Sequence, residues 1–267
     1  MRHNKGVVTT GNRSDNPRVY TGDQMTDLAP TTAPAEATSK GLLSRMAGVI
    51  FSPRATFADV AARPKSLGVL TICVLVIALS LFALFKTEVG QQAWIDELVG
   101  GAESFGRSMT DQQYQGMERI APYIGYVVVV GYLIVIPIVV AIMSGILLGI
   151  FNAFMGGDAT FKQVFAVVVH AGVINTVQVL FAMPLDYARQ TLSSPTTLGV
   201  FVPFLDENSF VARFLGSIDL FYVWWFVVLA IGLGVLYRRR TGPIAATFLT
   251  LYAVIALAIA AVRSALS

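Results

Sequence analysis

His170, Asn175 and Gln178 are the residues whose types and spacing come nearest to a chemical site in this chain. At about 100° per residue of helix they fall within about 140° of one another, in the middle of a long apolar run. An imidazole and two carboxamides at such a depth can bind a solute or a lipid headgroup, or line a polar pathway. They can equally do no more than hydrogen-bond between helices. A second group, Asn152, Asp158 and Lys162, surrounds the pair Gly156-Gly157 and suits either the capping of helix ends or the holding of a headgroup. A third, Arg238-Arg239-Arg240, is a basic turn facing lipid. Each of its charges is worth about 1 kcal/mol near an anionic surface, and such a turn also sets membrane topology.

Nothing in the sequence assembles these residues into a catalytic centre. There is no Gly-x-Ser-x-Gly elbow, no His-Glu-x-x-His and no Gly-x-x-x-x-Gly-Lys phosphate loop. The two histidines, His3 and His170, and the single cysteine, Cys73, supply neither a metal cluster nor a disulfide. Gly157-Asp158 would serve as one half of an intramembrane aspartyl pair, but the nearest candidate for a second intramembrane aspartate, Asp219, is expected near the opposite face. The expectation is a protein that is not an enzyme, with no metal and no cofactor.

The elements that carry these residues follow from composition. Of 267 residues, 55% are hydrophobic and 13% charged, about half the charged share of a soluble domain. The apolar residues lie in runs near twenty long rather than in amphipathic stripes, which is the membrane pattern. The fold class is all-α: a polytopic membrane protein, a bundle of five transmembrane helices with spans near 67–85, 123–154, 161–183, 215–237 and 243–262. Residues 1–40, rich in Thr, Asn, Asp and Pro, form a tail too poor in apolar area to order. Residues 41–65 hold two short helices. The first sets Leu42, Leu43, Met46, Val49 and Ile50 on one face, with Ser39 as a candidate cap; the second starts at Ser52-Pro53 and ends near Arg63-Pro64. These helices either lie in the membrane interface or pack on the bundle.

Within residues 66–263, Thr110-Asp-Gln-Gln113 reads as a capping box opening a short helix, and Thr160 as a cap for the third span. Pro137 is a candidate kink in the second span and Pro184 a stop for the third. Gly145-Ile-Leu-Leu-Gly149 has the spacing for close helix contact, expected inside the bundle. Orientation comes from the short loops. Lys40, Arg45, Arg54, Arg63 and Lys65 precede span one, and Lys162 and Arg238-Arg239-Arg240 fall on the same side. That side is cytoplasmic by the positive-inside rule, with the C-terminus outside.

Two stretches resemble a known family. Leu43-Ser-Arg-Met-Ala-Gly-Val-Ile-Phe-Ser-Pro-Arg-Ala-Thr-Phe57 with Arg63-Pro64, and Met155-Gly-Gly-Asp-Ala-Thr-Phe-Lys-Gln-Val164, are similar to the segment before the first span and to the turn between spans two and three in bacterial members of the YIP (Ypt/Rab-interacting protein) family. The resemblance covers about Leu42 to Val262. It implies five spans and a cytoplasmic N-terminus in a bacterial cytoplasmic membrane. Eukaryotic members bind Rab-type GTPases in vesicle traffic, but this chain lacks the long acidic or aromatic-rich cytoplasmic region that would support GTPase binding. The expected partners are the lipid bilayer and other membrane proteins, with no nucleic acid. The expected role is membrane organisation or scaffolding; the alternative is a small-solute transporter or channel subunit using the polar face of the third span.

Overall fold

In lipid every backbone N–H and C=O must find its partner within its own segment, so apolar runs of this length fold as helices. The computed structural model describes residues 41–206 and 209–266. The tail expected to be disordered, residues 1–40 with Ser39, lies outside the described residues. The described chain contains α1 (Leu42–Phe51), α2 (Pro53–Ala62), α3 (Leu67–Phe85), α4 (Glu88–Glu103), α5 (Asp111–Ile120) and α6 (Ile124–Gly149). These are followed by α7 (Phe161–Ala171), α8 (Val173–Arg189), α9 (Phe210–Gly216), α10 (Leu220–Leu236) and α11 (Thr241–Leu266). Among the described residues there is no β-strand, only one isolated antiparallel bridge between Thr197 and Asp219.

Four helical stretches are long and apolar enough to cross a bilayer: Leu67–Phe85, Asp111–Phe154, Phe161–Arg189 and Thr241–Leu266. α10, at 17 residues, falls short of the roughly 20 of a full span. It is nonetheless central, packing against α2, α7, α8 and α11, with Val228, Leu229, Ala230 and Leu233 buried. The outer helices turn large apolar side chains outward, among them Ile134, Ile138, Ile142 and Ile146 of α6 and Leu251 and Ile255 of α11. Contiguous apolar exposure on this scale has no place on a soluble monomer.

The long second apolar run ends in a π-helical segment, Ile150–Phe154. The α-helix itself continues through Pro137. Pro184 does not stop the third run either: α8 carries it inside and ends at Arg189, with Gln190 in the left-handed conformation (φ 56°) as its cap. A proline removes one helix hydrogen bond and crowds the carbonyl four residues back, but surrounding packing can hold the helix past it. The break comes earlier, at Gly172, which separates α7 from α8. Both expected capping elements form. Thr110 and Thr160 each accept from the backbone N–H three residues on, while Gln113 and Gln163 reach back to the cap.

The glycine spacing in α6 does not do what the sequence suggested. Gly145 and Gly149 lie exposed, and a Cβ added at either would meet nothing within 4 Å. Close packing is made elsewhere, at Gly48 between α1 and α2 and at Gly232 between α10, α2 and α7. A Cβ at Gly232 would stand 2.6 Å from Val167 Cγ1 and 3.0 Å from the Phe57 ring. Both neighbours are fully buried, so neither can move aside. We therefore expect Gly232→Val to lower stability by about 1–3 kcal/mol through overpacking. Gly145→Ala should leave stability unchanged or raise it by up to about 1 kcal/mol from helix propensity. Thermal unfolding of the two variants in the same detergent checks the contrast.

Candidate functional site

The side chains expected to do chemistry fall at two ends of the bundle and one point between. One end gathers α2, the turn after α6 and the turn between α10 and α11. Asn152, half-buried in the π-helical segment, holds this end together. Its Nδ2 donates to the Ala159 carbonyl at 2.8 Å, and its Oδ1 accepts from the Tyr237 hydroxyl at 2.9 Å. The Tyr237 ring stacks on Phe151 at 4.8 Å and covers Gly157, where a Cβ would stand 2.5 Å from the ring. Gly156, at φ 68°, supplies the left-handed step that reverses the chain. The Gly157 N–H then donates back to the Phe151 carbonyl at 3.0 Å.

Two further bonds close the frame. Arg239 donates from Nη2 to the Met155 carbonyl at 2.9 Å. Gln163 donates to the Ala61 carbonyl at 3.1 Å, which ties α7 to the end of α2. Between the two turns lies a cleft of about 310 Å³, walled by Phe151, the segment Met155–Ala159, Gln163, and Leu236 to Arg239. Asp158 and the guanidinium groups of Arg238 and Arg239 supply its charge. Arg240 and Lys162 are exposed nearby but do not line it. The lining holds no Ser, Thr, Cys, His or Lys. Two cations and one carboxylate around a polar cleft suit a phosphate-bearing, anionic headgroup.

The polar residues of the third run are not gathered into one site. His170, on α7, is fully buried; its Nδ1 lies 2.7 Å from the Ala166 carbonyl. Since a carbonyl only accepts, Nδ1 carries the proton, and buried Nε2 has no partner among the described residues. Asn175, beyond the Gly172 break, has a buried and unpartnered Oδ1. Gln178 reaches the opposite end of the bundle, where its Nε2 donates to Asp219 Oδ2 at 3.2 Å. No hydrogen bond joins the three among the described residues.

Asp219 is a centre that sequence reasoning undervalued. It is 4% exposed and caps α10, its Oδ1 accepting from the Phe221 N–H at 2.7 Å. Its Oδ2 also accepts from Thr196 Oγ1 at 2.8 Å and from Ser194 Oγ. Its own N–H donates to the Tyr252 hydroxyl at 2.9 Å. Asp158 stands beside the far end of α10, about 25 Å away along a 17-residue helix, so the two carboxylates form no aspartyl pair. The second omission is Arg45. It is 4% exposed and donates from Nε to Asp59 Oδ2 at 2.8 Å and from Nη1 to the carbonyls of Arg63 (3.2 Å) and Lys65 (3.4 Å). Its position one turn before Val49, itself buried, was the available signal.

A family model of the Yip1 domain matches residues 47–262. No curated protein matches the chain, and no solved structure does. Asn152→Leu removes both bonds that fix the cleft and strands the Tyr237 hydroxyl and the Ala159 carbonyl. It should cost about 1–3 kcal/mol, whereas Tyr237→Phe, which removes one bond and leaves a partner able to find water, should cost about 0.5–1.5 kcal/mol. Unfolding midpoints measured side by side check that ranking.

Proposed function

We infer that this chain, which belongs to the Yip1 domain family, is a non-enzymatic organiser of the membrane that acts through its basic end. An integral, multi-pass membrane protein follows from the family and the apolar helices, and the Yip1 domain family is not known as an enzyme family. In our reading five helices cross the bilayer, α10 being the short fifth. Protein surrounds α10 on several sides, and a thinned or locally deformed bilayer accommodates a short span at modest cost.

The observation that carries the reading is the cleft between Asp158 and Arg238-Arg239, set in a basic surface. Apart from the buried Arg45–Asp59 pair, the described residues on this end include Arg54, Arg63, Lys65, Lys162 and Arg238 to Arg240, against only Asp158. This excess, carried on short connections, supports a cytoplasmic N-terminal side. α1 exposes Leu43 and Phe51 while burying Arg45 and Val49, which supports an interfacial helix with one face on the bundle and another in lipid. An anionic headgroup held against Arg238 and Arg239 would anchor that surface. Organisation of neighbouring membrane proteins is the role this arrangement suits.

Solute transport is the second reading, favoured by the unpartnered His170 Nε2 and Asn175 Oδ1 within the helices. Flux in reconstituted vesicles that disappears on replacing His170, Asn175 and Gln178 by leucine would decide for it. For the leading reading, the protein is purified in a mild detergent and the lipid it retains is counted by native mass spectrometry. Phosphatidylglycerol should be retained over phosphatidylcholine. Arg238→Gln with Arg239→Gln should weaken that retention about 30-fold, from about 1 kcal/mol per charge, and the difference should shrink in high salt. Equal retention by the wild type and the double variant rejects the reading.

A further inference from the structure

We propose that the cavity between α3 and α8, at the end of the bundle opposite the basic cleft, binds a primary ammonium group carried on an apolar chain. This site is independent of the proposed headgroup cleft and involves none of its residues. The cavity has a volume of about 300 Å³, at the lower end of the range for small-molecule pockets. Leu81 and Phe85 of α3 and Val179 and Met183 of α8 form its apolar walls. Gln178, Asp186, Ser194 and Tyr222 form the polar part.

What selects the ligand is the state of those polar groups. Gln178 spends an amide N–H on Asp219 Oδ2, and Ser194 spends its hydroxyl proton on the same carboxylate. Ser194 therefore presents only its lone pairs to anything else, and Gln178 presents its carbonyl oxygen with one remaining amide N–H. Asp186 Oδ1 is buried and has no hydrogen-bond partner among the described residues, and a desolvated carboxylate oxygen without a donor is costly. Arg189, one turn on, is the nearest cation in sequence, and it directs Nη1 to the Ser193 carbonyl at 3.3 Å. No ion pair joins it to Asp186 among the described residues.

A lining with one carboxylate, Asp186, the acceptor oxygens of Gln178 and Ser194, and no Lys or Arg repels an anion and suits a cation that donates hydrogen bonds. A primary ammonium carries three N–H donors and no acceptor. A quaternary ammonium has the charge but no donor to give Asp186. The remaining wall is apolar, so the body of the ligand is a hydrocarbon chain. The chemistry is shared by an aminophospholipid headgroup and by a free long-chain amine.

The full-length protein in a non-ionic detergent is titrated with dodecylamine and with dodecyltrimethylammonium. In parallel, nanodiscs compare phosphatidylethanolamine with its N-trimethylated counterpart, phosphatidylcholine. The primary amine should bind at least about tenfold more tightly than the quaternary one, the effect of one charge-assisted hydrogen bond. Asp186→Asn should erase the preference, and Arg238→Gln should leave it intact. A preference in both systems identifies a lipid as a competent source; a preference for dodecylamine alone identifies a free amphiphile. Equal binding of primary and quaternary amines, or an unchanged preference in Asp186→Asn, overturns the proposal. Should Asp186→Asn fail to fold, Ala182→Phe, which fills the cavity, and the wild-type comparison still decide it.

Discussion

A phenylalanine ring set into a helix at a missing side chain holds the basic end of this protein in place. Phe57 of α2 is fully buried against α10 where Gly232 leaves room for it. Burial of such a ring contributes about 1.5–3 kcal/mol. It ties α2 to α10 and α7, and α2 in turn receives α1. The second joint is the Arg45 guanidinium, buried between the two short helices. Taking that charge out of water costs several kcal/mol, and Asp59 with the carbonyls of Arg63 and Lys65 offsets the loss. Because Asp59 keeps some contact with solvent, at 20% exposure, the pair specifies a geometry more than it adds stability. That geometry aligns the chain before the first span with the turns on either side of the cleft.

The two ends of the bundle solve different problems with the same materials. At the basic end, carbonyls of the 155–160 turn are satisfied by Asn152, itself held by Tyr237, and by Arg239, while Arg238 and Asp158 line the cleft. At the other end, one carboxylate, Asp219, collects donors from α8, the following loop and the start of α10. Buried polar groups there are costly unless fully partnered, and Asp219 is well supplied. Asp186, a short distance along α8, is not. The contrast between a saturated and an unsaturated carboxylate at the same end of the bundle gives that end its chemical character.

Much of this architecture was legible in the residues. The first span runs over Leu67–Phe85 as its uninterrupted apolar run required, and the Thr110 and Thr160 caps form because threonine with glutamine three residues on is a local, self-contained signal. Interactions between distant segments were not legible. Asp219 draws its partners from 23 and 41 residues away, and no spacing rule connects them. Arg45 counted only as a positive charge ahead of the first span, because its burial depends on the tertiary partner Asp59. Gln178 bonds Asp219 rather than His170 or Asn175. α4 escaped notice because Gly90, Gly100 and Gly101 dilute its helical pattern.

The central claim is that the cleft end and the Asp219 end face opposite sides of a membrane. Single cysteines placed in a Cys73→Ala background, at Asp158 and Arg240 on one end and at Glu97 and Gln190 on the other, test it with a membrane-impermeant maleimide applied to intact cells. The account predicts labelling at positions 97 and 190, and at 158 and 240 only after permeabilisation. Labelling of all four from one side, or the reverse pattern, would contradict it.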